Sequence, residues 1–187
     1  MNKIKLLIVI VVMALLLVSC GNSTVDKPSM LIETPKTYGD VLNGFKVPDL
    51  GGKPVSDSLI KEKKYSLVVL WSTECQGCED TLKVINKLSN KYGDGSLGFL
   101  GIMTDSVNDR GKLDKKAIRV GRHKLSHWNI DFTNITVPIG IKEAVMPDVF
   151  LLPASFLVDH NGDVVSQFYP GNVPYEEWDQ MISELID

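Results

Sequence analysis

Cysteine is scarce in this 187-residue chain: three residues, at positions 20, 75 and 78, allow at most one bridge within it. No network of structural disulfides can therefore hold the fold. Positive charge is also short, since 20 Lys and Arg face 23 Asp and Glu, for a formal charge of −3 and a pI near 5.6. Nucleic-acid phosphates call for a basic patch or stripe, so that class of partner is excluded. No apolar run is long enough to span a bilayer: residues 6–18 form an uninterrupted apolar stretch, but about 20 residues are needed to cross a ~30 Å hydrocarbon core. Internal repeats and low-complexity blocks are absent. What is present, 44% hydrophobic and 23% charged residues, suits one globular domain with a real core and leaves little room for a second.

Ahead of the apolar stretch, Met1-Asn-Lys-Ile-Lys5 supplies a short positive region, the arrangement of a signal peptide. Leu17-Val18-Ser19-Cys20-Gly21 then resembles a bacterial lipobox, in which the chain is cut before the cysteine and Cys20 carries the lipid. Plain secretory cleavage after a small residue is the alternative. The expected division is a lipoprotein signal peptide over 1–19, a lipidated tether over 20–36 and a single domain over 37–187. Removal of residues 1–19 deletes Lys3 and Lys5, so 18 basic residues face 23 acidic ones and the mature chain carries −5. Such a chain gains nothing by charge from anionic lipid, and acyl chains do the anchoring. Residues 21–36 mix small, polar and Pro residues without periodicity; as a flexible coil they reach roughly 20–25 Å. The expected location is extracytoplasmic, on a bacterial membrane.

With Cys20 lipidated, Cys75-Gln-Gly-Cys78 is left as an isolated pair. A bridge closing two residues constrains little of the unfolded chain, so a redox role fits it better than a structural one. Around it the pattern alternates between sheet and helix. Phe45-Lys-Val-Pro-Asp-Leu-Gly-Gly-Lys-Pro-Val55 reads as a short hairpin. Tyr65-Ser-Leu-Val-Val-Leu-Trp71 and Leu97-Gly-Phe-Leu-Gly-Ile-Met103 read as strands buried on both faces. Between them Leu82, Val84, Ile85 and Leu88 recur at helical spacing. Residues 108–125 are Lys/Arg-rich and expected as a solvated helix, residues 128–146 show no clear element, and residues 155–169 form a hairpin around Asn161-Gly162. Trp178, Met181, Ile182 and Leu185 mark a closing amphipathic helix. The class is α/β with a central sheet.

A Cys-x-x-Cys pair that follows a buried strand and opens a helix has a mechanical rationale. Unpaired N–H groups and the positive dipole end stabilise a thiolate at the first cysteine. Cys75 is therefore the expected nucleophile and Cys78 the resolving thiol. Val68-Val-Leu-Trp71-Ser-Thr-Glu-Cys75-Gln-Gly-Cys78 resembles the active-site strand and helix start of thioredoxin-like proteins, in particular the anchored ResA- and TlpA-like branch. The hairpin at 45–55, Leu152-Pro153-Ala-Ser-Phe-Leu-Val-Asp159-His-Asn-Gly162 and Gly171 extend the similarity over about residues 40–187. The resemblance implies a thioredoxin fold with an N-terminal β-hairpin extension, a redox disulfide between Cys75 and Cys78, and no cofactor or metal. It also implies a cis peptide before Pro153, where an ordinary strand-start proline is the other reading, with the Leu152 backbone pairing to substrate. Trp71 is either a core aromatic or a wall of the active site, and both roles are compatible. Implied partners are disulfide-containing exported proteins, apocytochrome c among them, and a membrane electron donor of the CcdA/DsbD type.

Three departures qualify the resemblance. Glu74 and Glu79 stand where relatives often carry Trp and a basic residue, and Asp80 adjoins them. Negative charge disfavours a Cys75 thiolate and points to a reducing couple. The acid that assists proton transfer in relatives falls at Val69 or Thr81, neither of which titrates; Glu79, Asp80 and Glu143 are the substitutes, each otherwise a solvated surface carboxylate. Two rivals are weaker. A peroxiredoxin needs Pro and Thr where Val68 and Ser72 stand, and a thioredoxin-fold copper chaperone needs a histidine, from His123, His127 or His160, beside two thiolates.

Overall fold

The computed structural model describes residues 38–186 apart from Ser96; the expected signal peptide, the lipidation site Cys20 and the tether lie outside the described residues. Lys46–Pro48 (β1) and Pro54–Ser56 (β2) form an antiparallel hairpin, followed by the one-turn helix Ser58–Lys61 (α1). Tyr65–Trp71 (β3), Cys78–Tyr92 (α2) and Leu97–Met103 (β4) make a strand-helix-strand unit with parallel strands. Lys115–His127 (α3) leads to Asn134–Thr136 (β5), then Ala154–Asp159 (β6), Tyr169–Pro170 (β7) and Tyr175–Ile186 (α4). The five-stranded sheet has the order β5-β4-β3-β6-β7, with β6 antiparallel to β3.

β3 is apolar without alternation because both of its faces are covered. Leu67, Val69 and Trp71 enter one core with Leu82, Ile85 and Leu88 of α2 and Trp178 and Ile182 of α4. Val68 and Leu70 enter a second core with Leu42, Phe45 and Ile141. At about 1.5–3 kcal/mol for each buried aliphatic side chain, these two layers dominate the stability. The β1–β2 hairpin covers the β5 edge, through Leu50 N–H donating to Asn134 O at 3.0 Å and Thr136 Oγ1 donating to Pro48 O at 3.2 Å. An otherwise unpaired strand edge is thereby closed.

A polar clasp joins α2 to α4. Lys91 Nζ donates to Asp179 Oδ1 at 2.7 Å, and so does Tyr92 Oη at 2.7 Å. The Lys91 bond, then the Tyr92 bond, hold the Asp179 carboxyl below its ordinary value of 3.8. A depressed folded-state value means a contribution present above the unfolded value and lost as pH falls through the folded one. In urea unfolding, Asp179→Asn is therefore expected to lower the midpoint near neutral pH, with the difference fading as the medium is acidified below about pH 4. High salt should shrink it as well, since the pair is open to solvent.

Three local expectations are corrected. Helix α3 starts only at Lys115: Asn108 Oδ1 accepts from Arg110 N and Lys112 N, and Asp114 Oδ1 caps the helix by accepting from Lys116 N and Ala117 N. Short polar side chains thus hold residues 108–114 as a loop. In the 155–169 hairpin only Gly162 has positive φ, at 88°, so three residues rather than two make the connection. The returning strand is also interrupted, because Ser166 Oγ accepts Leu157 N–H at 2.8 Å in place of a backbone partner. Residues 128–146, without a clear pattern in sequence, contain β5 and a single wide turn of helix at Ile141–Val145.

Candidate active site

Residues 72–78 leave the C-terminal end of β3. Cys75 N–H donates to Ser72 O at 3.4 Å, closing a turn over Thr73 and Glu74. Gly77, at φ 84°, then swings the chain into α2, whose first residue is Cys78. That left-handed conformation is costly for any residue with a Cβ, which explains the glycine between the two cysteines. The helix starts at the second cysteine, so Cys75 sits just ahead of it, where the unpaired N–H groups of the first turn gather. The two sulfurs are bonded, with an S–S length of 2.05 Å and 5.6 Å between Cα atoms. Cys78 is fully buried and Cys75 is partly exposed. An incoming disulfide can reach only Cys75.

Beside this turn lies the loop that begins β6. Ala154, the first residue of β6, is paired with Leu70 next to the end of β3, so the loop before it leaves the sheet at the end that carries the cysteine turn. The Leu152–Pro153 peptide is cis. Pro153 O accepts Gly171 N–H at 2.7 Å, which fastens the loop, while the N–H and C=O of Leu152 have no partner among the described residues. Asn172, next to Gly171, accepts from Thr81 Oγ1 at 3.3 Å. Thr81 is buried one turn beyond Cys78 and Val69 is buried in the core, so neither position supplies an acid.

The expected acidic surroundings are only partly effective. Glu79 is paired with Lys83 at 2.6 Å, and that bond, ahead of the nearby His127 charge, lowers its pKa. Its charge is largely spent there. Glu74 and Asp80 are exposed and screened by salt. Glu143 is exposed on the Ile141–Val145 turn, which packs against the sheet face opposite α2, so it is remote from Cys78.

Trp71 has no exposed surface and meets Trp128 edge-on at 6.3 Å between centroids. Its indole N–H donates to Asn134 Oδ1 at 2.9 Å. In this arrangement it supports the site from beneath and presents nothing to a substrate. His123 and His127 lie exposed on α3 with rings 6.5 Å apart. His160 sits in the turn after β6, whose last residue Asp159 pairs with Tyr65 at the start of β3, at the end of the sheet away from the cysteines. Among the described residues no three His, Cys, Asp or Glu side chains gather as a metal cluster.

One group near the disulfide escaped the sequence reading. Asp105 Oδ2 accepts Thr73 N–H at 2.9 Å and also the Thr73 hydroxyl. The only signal available was an acid two positions beyond the strand parallel to β3.

A central sheet flanked by helices, with a Cys-x-x-Cys disulfide where its middle strand ends, defines the chain as a thioredoxin-fold thiol-disulfide oxidoreductase. No family model matches the chain. It is similar to the thiol-disulfide oxidoreductase ResA of Bacillus anthracis, 26% identical over 172 residues that cover 89% of each chain. Among solved structures it resembles a thiol:disulfide interchange protein of Chlorobium tepidum, with a TM-score of 0.61 and 18% identity over 76% of this chain and 92% of that one. It also resembles the exposed lipoprotein thioredoxin Etrx1 of Streptococcus pneumoniae, with a TM-score of 0.55 and 19% identity over 75% of this chain and 98% of that one.

The chemistry follows from access. When reduced, Cys75 attacks one sulfur of a client disulfide, and the other client sulfur leaves as a thiolate. Cys78 then attacks Cys75, closing the 75–78 bond and releasing the second client thiolate, so two electrons have passed to the client. The same steps run backwards oxidise a client dithiol.

Proposed function

We propose that this chain is a membrane-anchored extracytoplasmic reductase of disulfides in exported proteins, apocytochrome c among them, recharged by a membrane dithiol donor of the CcdA/DsbD type. The observation that carries the reading is a partly exposed Cys75 joined to a buried Cys78, at the end of the sheet where the backbone of Leu152 has no partner among the described residues. An extended client segment can add to that backbone as a strand, bringing its disulfide to Cys75 while Cys78 waits inside. The lipobox-like Leu17-Val18-Ser19-Cys20-Gly21 supports the anchored, extracytoplasmic setting, with Cys20 as the lipidated residue. No helix among the described residues is long and apolar enough to cross a membrane, and the lipid on Cys20 would supply the attachment.

The reductase direction rests on negative charge around Cys75 that makes its thiolate, and hence the reduced form, less stable. Equilibration with a glutathione buffer should give a reduction potential near the thioredoxin value of about −270 mV. A potential near that of DsbA, about −120 mV, would reverse the assignment and make the protein an oxidant.

A further inference from the structure

Thr73 and Asp105 are brought together by strand register. Trp71 and Met103 are parallel partners at the ends of β3 and β4, and each residue in question lies two positions beyond its strand. The β4 end is itself fastened to β3, through Thr104 Oγ1 donating to Trp71 O at 3.1 Å. One carboxylate oxygen of Asp105 takes both Thr73 donors. The other, Oδ1, is buried and has no hydrogen-bond partner among the described residues. A buried acceptor left unpaired is costly. An asparagine could make both bonds to Thr73 without confining a charge, so a simple fastening does not account for the acid. Cys75 follows Thr73 by two residues, with its Cα within about 7.6 Å of that of Thr73, and the intervening turn folds it back towards Ser72.

We propose that Asp105 is a positioning residue that also tunes the redox couple: it fixes the 72–75 turn through Thr73, and its confined negative charge disfavours the Cys75 thiolate and keeps the pair reducing. This rests on the reductase reading above. Unlike Glu79, Asp105 has no cationic partner among the described residues, and unlike Glu74 and Asp80 it is partly shielded from salt. Its charge is therefore less screened at the turn than those of Glu74 and Asp80.

The test compares Asp105→Asn, Asp105→Glu and Thr73→Val with wild type in glutathione equilibrium and in the pH titration of Cys75 thiolate absorbance. Asp105→Asn keeps both Thr73 bonds and loses the charge. Its equilibrium is expected to shift at least about threefold toward the reduced protein, about 14 mV, with thiolate appearing at lower pH. Asp105→Glu and Thr73→Val keep the charge and should stay within a factor of two of wild type. Wild-type potential and titration in Asp105→Asn, or a threefold shift in Thr73→Val, would overturn the proposal. The absolute wild-type potential tests the reductase reading, whereas the difference between variants tests Asp105, so one can fail without the other.

Discussion

Cys75→Ser is expected to abolish reduction of a model disulfide protein such as insulin, by at least about 10³-fold, as loss of a covalent nucleophile does elsewhere. Cys78→Ser should fail differently. Cys75 can still attack, but nothing inside the protein can release the product, so the client accumulates as a mixed disulfide visible as a mass shift without reductant. The asymmetry comes from burial: Cys75 is partly exposed and Cys78 has no exposed surface. Trapped client in Cys75→Ser rather than in Cys78→Ser would invert the roles. Folding should survive both changes, because a bridge over two residues stabilises little. The buried serine at 78 gives the larger loss, about 1–3 kcal/mol for an unpaired hydroxyl.

Gly101→Ala is expected to destabilise the domain strongly. A Cβ at Gly101 would lie 1.8 Å from Asn134 Oδ1, the atom that accepts the Trp71 indole N–H. Asn134 must move, and Trp71 then loses its partner while fully buried. Steric strain and the orphaned donor together predict a loss of about 2–4 kcal/mol, or about 5–15 °C in melting temperature for a domain of this size. Adding Asn134→Gly should remove the clash but leave the indole unpaired, so rescue is partial and the two changes are not additive. An unchanged melting temperature for Gly101→Ala would show that the site yields without cost. Since Trp71 ends the strand that leads to Cys75, the oxidoreductase rate should fall along with stability.

The elements whose identity depends on neighbours in sequence were legible. The β3 run, the 3.6-residue recurrence of Leu82, Ile85 and Leu88, and the Gly-Gly turn before β2 all lie where local pattern places them. Failures occurred where a side chain competed with the backbone. Asn108 and Asp114 delayed α3, and Ser166 interrupted the strand after Gly162, in each case by offering an oxygen to a nearby N–H. Residues 128–146 had no period to read because β5 is only three residues long and is held by β4 and the hairpin rather than by its own pattern.

The active site divides in the same way. By itself the sequence determined a Cys-x-x-Cys pair at a strand-to-helix junction, a thioredoxin-like order of elements and an acidic local composition, all of them encoded within a few positions of one another. Only the tertiary structure decided which acid acts on the turn, which cysteine faces solvent, and what holds Trp71. Thr73 meets Asp105 across 32 positions and Trp71 meets Asn134 across 63. Those meetings depend on the register of β3 against β4 and of β4 against β5, and pairing between strands distant in the chain is settled by how the whole core packs rather than by any local pattern.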